Sequence, residues 1–326
     1  MNDSSRKDIW IGIGFFVLIL LFWFTGGFSG DRSLSTPIVP LGVDTSSSIS
    51  QGTAKRDGEP AWPLRNAGTR QTTQTETDAT EKEELRGVEA EIRRLERSGE
   101  TSPYAGLVIL SKRASGPKNR DVNREYIEMS ASRDNTELIP ITGWRLESPV
   151  SGRSIAIPEA SYLPRSGEKN IDQPVWLSPG ERAFIITGRS PIGISFRNNI
   201  CAGYFTQFQR FEPFLSRQCP DPEDDILFYD EDLSIFNDNV CMDFVDRIGR
   251  CKVVTKLPPE LSNSCGVAII GELNYNSCVD NHKDDGNFIE DEWYIYLKRE
   301  FELWRDKREL IVLFDQDKKI VDSFSY

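Results

Sequence analysis

Residues 124–148 read REYIEMSASRDNTELIPITGWRLES. Tyr126, Ile127 and Met129 stand among Glu125, Glu128 and Ser130, a mixture of apolar and polar side chains that predicts a half-buried strand. Ser132-Arg133-Asp134-Asn135 follows with the small and polar side chains of a turn. Beyond it, Ile139, Ile141, Gly143 and Leu146 surround Trp144 and predict a second strand.

Working outward, Tyr104–Ser111 (YAGLVILS) reads as an earlier strand, joined to Arg124 by the basic loop KRASGPKNRD. Downstream, Arg153–Pro158 is a short strand ended by proline. Pro179-Gly180 then makes a turn into Arg182–Gly188, which is apolar enough to be interior. Short strands with turn signals about every ten residues predict a β-sandwich. Far downstream, ELIVLF (Glu309–Phe314) and KIVDSFSY (Lys319–Tyr326) flank Asp315-Gln316-Asp317-Lys318 and predict a closing hairpin. A sandwich lacking its last strands would expose an unpaired edge. One discontinuous domain is therefore expected, residues 102–200 plus 309–326, interrupted by residues 201–308.

Taken together, E-Y-I-E at Glu125, I-T-G-W-x-L at Ile141, L-x-P-G at Leu177 and the V-D-S-x-x-Y ending at Val321 resemble the lamin tail domain. The resemblance covers roughly 115 residues and implies an immunoglobulin-like β-sandwich. It implies roles in attachment and interaction and no catalytic residue. The family has Gly in the closing turn where Lys318 and Lys319 stand here, which leaves the turn type open. The whole layout resembles bacterial membrane-anchored proteins that carry this domain.

Charge is distributed unevenly along the 326 residues, whose net charge is −12. Residues 102–200 hold 13 Lys/Arg against 10 Asp/Glu, and residues 201–309 hold 12 against 23. An acidic balance excludes general nucleic-acid binding, which needs a basic footprint.

Ile9–Phe24 carries no charge, and extension to Phe28 gives a segment long enough to span a bilayer as a helix, with Trp10 and Trp23 near its ends. Arg6 and Lys7 precede it, so residues 1–8 are expected in the cytoplasm and the remainder outside a single-pass signal anchor at residues 9–28. A cleaved signal peptide, using the small residues Thr25-Gly26-Gly27, is the alternative and exports the chain equally. Residues 29–80 are rich in Ser, Thr, Gly and Pro and read as a disordered linker. In residues 81–98, Leu85, Val88, Ile92 and Leu95 recur at heptad spacing, with Thr80 and Glu83 as a capping box. This segment is either an amphipathic helix lying on the following domain or a short coiled coil that makes a homodimer through residues 85–95.

All six cysteines, Cys201, Cys219, Cys241, Cys251, Cys265 and Cys278, fall within the interrupting segment. In an exported chain they predict disulfides, and no close C-x-x-C spacing suggests zinc. Asn239–Ile248 and Ser262–Leu273 read as an antiparallel helical hairpin with Ser262 as an N-cap. That geometry predicts Cys251–Cys265 and Cys241–Cys278, leaving Cys201–Cys219. Trp293, Leu297, Phe301 and Trp304, spaced 4, 4 and 3, predict a third helix over 292–307 that docks the insertion on the sandwich.

Chemistry-bearing patterns are few. Asn281–Glu292 matches an EF-hand loop around Gly286, but Lys283 occupies a position that needs an oxygen ligand. Calcium therefore stands only as a minor expectation and no cofactor is assigned. Glu223, Asp224, Asp225, Asp230, Glu231 and Asp232 read as a solvated acidic face. His282, the one histidine, reads as surface. Gly188–Asn199 reads as a polar crossover loop. Lys112, Arg113, Lys118, Arg120 and Arg124 form a candidate contact face. The expected function is a membrane-anchored extracytoplasmic binding or structural protein, meeting the lipid bilayer through residues 9–28 and another protein or a cell-surface polymer through its folded part. The alternative is a surface hydrolase with its site between sandwich and insertion.

Overall fold

The computed structural model describes residues 68–97, 101–113, 115–229, 235 and 237–326. The membrane span expected at 9–28, the cytoplasmic residues 1–8 and linker residues 29–67 lie outside the described residues. Among the described residues no helix is long and apolar enough to cross a membrane.

The chain is mainly β. Among the described residues thirteen strands follow one long helix, α1 (Gly68–Arg97): β1 (Val108–Leu110), β2 (Tyr126–Ala131), β3 (Ile139–Pro140), β4 (Arg145–Glu147), β5 (Ser154–Ala156), β6 (Ala160–Ser161), β7 (Asp172–Gln173), β8 (Trp176–Leu177), β9 (Arg182–Ile186), β10 (Phe196–Asn199), β11 (Ile289–Tyr296), β12 (Leu310–Phe314) and β13 (Ile320–Ser325). A seven-stranded sheet runs β1-β2-β9-β11-β10-β6-β7, and a four-stranded sheet runs β13-β12-β4-β5. β3 and β8 form a separate two-stranded ribbon.

The opening stretch divides among three sheets, β2 in the large one, β3 in the ribbon and β4 in the small one, so the single strand expected around Trp144 is broken into two by a turn at Thr142-Gly143. Ile127, Met129 and Ala131 of β2 point from the large sheet, and Leu146 of β4 points from the small one, into a single core that also holds Trp144, Ile185, Trp293, Ile311 and Phe324. Alternation in β2 produces this directly, because successive side chains leave a strand on opposite faces. The expected closing hairpin forms: β12 pairs antiparallel with β13 and, on its other side, with β4. Lys318 adopts φ +61° in the turn, a left-handed conformation that side chains other than glycine rarely take. At the junction of the sheets the Asp322 carboxylate accepts the Leu110 amide at 2.7 Å.

The segment 292–307 is not a helix. Its first part is β11, which lies between β9 and β10 and runs parallel to β9, from Glu292↔Arg182 to Tyr296↔Ile186. Trp293 and Ile295 enter the core between the sheets, while Tyr294 and Tyr296 face the other way. A strand buried on both faces loses the two-residue alternation and leaves only a run of aromatic and branched residues. Trp304 is buried but Phe301 is 80% exposed, so the apparent stripe is not one surface. Gly188–Asn199 is likewise more than a crossover, since its last four residues are β10.

Each sheet is covered on its outer face. Leu85, Val88, Ile92 and Leu95 of α1 pack against Leu310, Val312 and Ile320 of the small sheet. The heptad seam thus covers the chain's own sheet. α1 begins at Gly68, which places residues 68–80 of the expected linker in the helix and Thr80 inside it instead of at an N-cap. Arg308 fastens the helix through ion pairs to Asp78 and Glu81. On the large sheet, Phe184, Ile186, Phe196, Tyr294 and Tyr296 pack against Ala202, Phe211 and Leu215 of the insertion.

Among its described residues, the insertion between β10 and β11 holds a 3-10 helix (Ile200–Gln207) and four short helices: α2 (Pro222–Tyr229), α3 (Asn239–Val245), α4 (Asn263–Glu272) and α5 (Tyr275–His282). All six cysteines are paired, as Cys201–Cys278, Cys219–Cys251 and Cys241–Cys265. This corrects the pairing expected from an antiparallel hairpin. α3 ends at Val245, well before Cys251, so Cys251 is free to cross to Cys219. The starts of α3 and α4 meet each other instead. Asp238 caps α3, Ser262 caps α4, and the Ser262 hydroxyl donates to Asp238 at 2.9 Å, bringing Cys241 and Cys265 together.

Candidate functional site

The joint between sandwich loops and insertion forms a trough. One lip is the loop Arg165–Asn170. Asn170 closes it on itself, its Oδ1 accepting the Arg165 amide at 2.6 Å and its Nδ2 donating to the Arg165 carbonyl at 2.9 Å. The same loop is clamped to α5, where Asn276 Oδ1 accepts the Ser166 amide and Asn276 Nδ2 donates to the Ser166 carbonyl, both at 2.9 Å. Arg165 also donates to Asp280 at 2.6 Å, and this holds the Asp280 carboxyl below its ordinary range. The second lip is Pro191–Ile194, turned by Gly193 at φ +84°.

The floor is aromatic. Phe205 lies 4.1 Å, centroid to centroid, from the buried ring of Tyr275. The Tyr275 hydroxyl donates to the Pro164 carbonyl at 2.9 Å and accepts from Asn199 Nδ2 at 3.1 Å, so the ring cannot turn away. Burial raises its pKa far above the ordinary phenol value. Phe208 stands at the mouth, 68% exposed. Two basins of about 300 and 330 Å³ adjoin along Ser166, Ile192, Phe205 and Gln209. Their lining includes one cation, Arg165, and one carboxylate, Glu168, with no histidine or cysteine.

A second polar centre lies inside the insertion. His282 is buried, with Nε2 at 3.0 Å from Asp225 Oδ1 and Nδ1 at 2.8 Å from Asp285 Oδ2. It is therefore not a surface histidine. Asp225 is fully buried and is not part of a solvated face; burial raises its carboxyl pKa, opposed by His282. The pair joins α2 to α5 and ties two helices over a separation that no local motif spans. Asp230, Glu231 and Asp232, from the same expected face, lie outside the described residues.

The other sequence candidates disperse. The EF-hand window divides between α5, which contains Asn281 and His282, and β11, where Glu292 pairs with Arg182. Among the described residues no group of three or more His, Cys, Asp and Glu is placed to hold a metal ion. Of the basic face, Arg120 pairs with Asp306 at 2.7 Å, Arg124 approaches Glu212 at 3.8 Å, and Lys118 sits 5.1 Å over the Tyr326 ring. Lys112 lines a groove beside α1 with Ile92 and Phe324, and Arg113 is exposed. The trough is not legible in the sequence because its parts come from five separate segments. Phe205-Thr206-Gln207-Phe208-Gln209, with aromatics alternating with amides, is its one local signal. Comparison with protein-family models, curated proteins and solved structures finds no match for the chain.

Proposed function

We propose that the chain is a membrane-anchored, extracytoplasmic binding protein that presents a lamin-tail-like, immunoglobulin-like sandwich at the cell surface. The observation that carries this reading is the pairing of all six cysteines into three disulfides, which persist in oxidising compartments and are rare in the cytosol. Two packed sheets closed by the β12–β13 hairpin against β4 support the lamin-tail-like assignment. The uncharged Ile9–Phe28 stretch behind Arg6 and Lys7 supports the anchor and its orientation. A trough of aromatic and amide side chains, with its walls fixed by hydrogen bonds, supports binding over hydrolysis, because its lining offers a single carboxylate.

The test is the intact mass of the full chain after thiol alkylation, with and without reduction, combined with protease treatment of intact cells carrying it. No alkylation before reduction, six alkylated thiols after it, and digestion of the folded part from outside are expected. Six thiols alkylated without reduction, or a folded part protected in intact cells and digested only after lysis, would refute the proposal.

A further inference from the structure

The trough also carries an inference about ligand class, which rests on the binding reading above. Its lining has three properties at once. The aromatic floor is held in place, since Phe205 packs at a tilt against a Tyr275 whose hydroxyl is held from both sides. An exposed aromatic ring, Phe208, stands next to Gln209, an exposed amide with no hydrogen bond to any described residue. The lining charge is balanced, one Arg against one Glu, and that Arg is already paired with Asp280.

Each property selects against a different class of ligand. Anions find no unpaired cation here and meet a chain of net charge −12. Cations find only Glu168. A purely apolar ligand would leave the Gln209 amide and the loop backbone without partners in the bound state, which costs free energy. A ring with one apolar face and hydroxyls around its edge satisfies all three: its C–H face lies on an aromatic ring, and its hydroxyls exchange hydrogen bonds with the amide and the rim. Two adjoining basins on an open surface fit successive units of a chain better than one compact molecule. We propose that the trough binds an uncharged oligosaccharide segment of a polysaccharide, with Phe208 as the stacking ring and Gln209 as the hydroxyl-reading amide.

The experiment is calorimetric titration of the full chain in detergent with three neutral hexasaccharides, β-1,4-glucose, β-1,4-N-acetylglucosamine and β-1,3-glucose, and with a hexagalacturonate as the charged probe. Wild type, Phe208→Ala and Gln209→Ala are compared; both positions are exposed, and melting temperatures within about 2 °C of wild type verify that the variants fold. At least one neutral probe is expected to bind with Kd below about 5 mM, weakened about tenfold by Phe208→Ala and severalfold by Gln209→Ala. Absence of binding by all three neutral probes overturns the proposal. So does tighter binding of the hexagalacturonate, or equal affinity in the Phe208→Ala protein. The thiol and protease measurements read compartment and anchoring independently, so a failed titration with paired cysteines and external digestion removes the ligand class and leaves the location reading standing.

Discussion

Replacing Glu125 with Ala tests why the opening stretch carries a glutamate just ahead of β2. Glu125 is fully buried, and its two carboxylate oxygens accept the amides of Leu303 and Trp304 at 2.8 and 3.0 Å. Those bonds fix the loop between β11 and β12 and seat Trp304 in the core. Stranding one buried donor costs about 1–3 kcal/mol, so two strand about 2–6 kcal/mol. Burial works against the carboxylate and raises its pKa, so removing it returns part of that cost and the lower half of the range is expected. With a urea dependence of about 2 kcal/mol per M, a loss of about 3 kcal/mol lowers the unfolding midpoint by about 1.5 M. Trp fluorescence of the full chain in urea, disulfides intact, measures it. Glu125→Gln adds a test of sign. A raised folded pKa means that the Glu125 contribution is present below the unfolded value near ~4.3 and is lost as pH rises through the folded value. Glutamine does not titrate. Wild type should therefore exceed Glu125→Gln by its largest margin below that window and by less above it. A midpoint change under about 0.3 M for the alanine variant, or a margin that widens as pH rises, would refute the reasoning.

Three further outcomes are expected. Ile92→Ala, at a residue buried against Leu310, Val312 and Ile320, should lower stability by about 2–4 kcal/mol in urea and speed proteolysis within α1, while sedimentation gives an unchanged mass; loss of a dimer with unchanged stability would point to the coiled coil instead. Gly203→Ala drives a Cβ into Cys251 Sγ and places it 3.0 Å from Cys219 Sγ, so alkylation mass spectrometry should find a fraction of chains with two free thiols at that pair; complete oxidation at wild-type yield would count against the close approach. His282→Ala leaves Asp225 buried with only the long Asn281 bond at 3.5 Å and should cost about 3–5 kcal/mol, while the double variant with Asp225→Ala should cost less than the two single losses added, as measured by a urea double-mutant cycle; strict additivity would remove the coupling.

Legibility followed the range of the interactions. β2, β9, β12 and β13 were readable because each has a local apolar pattern between turn residues, and Ser262 was readable as a cap because a cap is a local bond. β11 does not look like a strand in the sequence because both faces are buried over Trp293–Tyr296, which erases the alternation that marks one. The cysteines declared themselves as disulfides, but their partners did not. Pairing depended on where α3 ends and on which ends of two helices meet, and sequence boundaries are loose by a few residues. His282 illustrates the limit: its carboxylate partner Asp225 lies 57 positions away in another helix.

These errors share one physical origin. The expectation that residues 201–308 only interrupt the sandwich leaves out β11, which lies within that span yet stands next to β10 in the large sheet. A sheet edge or face in water carries alternating polar residues, but β9 and β11 present Phe184, Ile186, Tyr294 and Tyr296 on the side away from the core. Those side chains require a covering layer, and Phe211, Leu215 and Ala202 supply it. A layer with so little apolar volume of its own gains stability from covalent closure, and two of the three disulfides lie in the cluster next to the sheet, beside Tyr204 and Phe288. The trough is a consequence of this construction. It opens where the disulfide-closed layer meets the loops of the sandwich, and Tyr275, three residues before Cys278, hydrogen-bonds both Asn199 of β10 and Pro164 of a sandwich loop. The same Tyr275 contacts that hold the layer on the sheet therefore also join two walls of the trough.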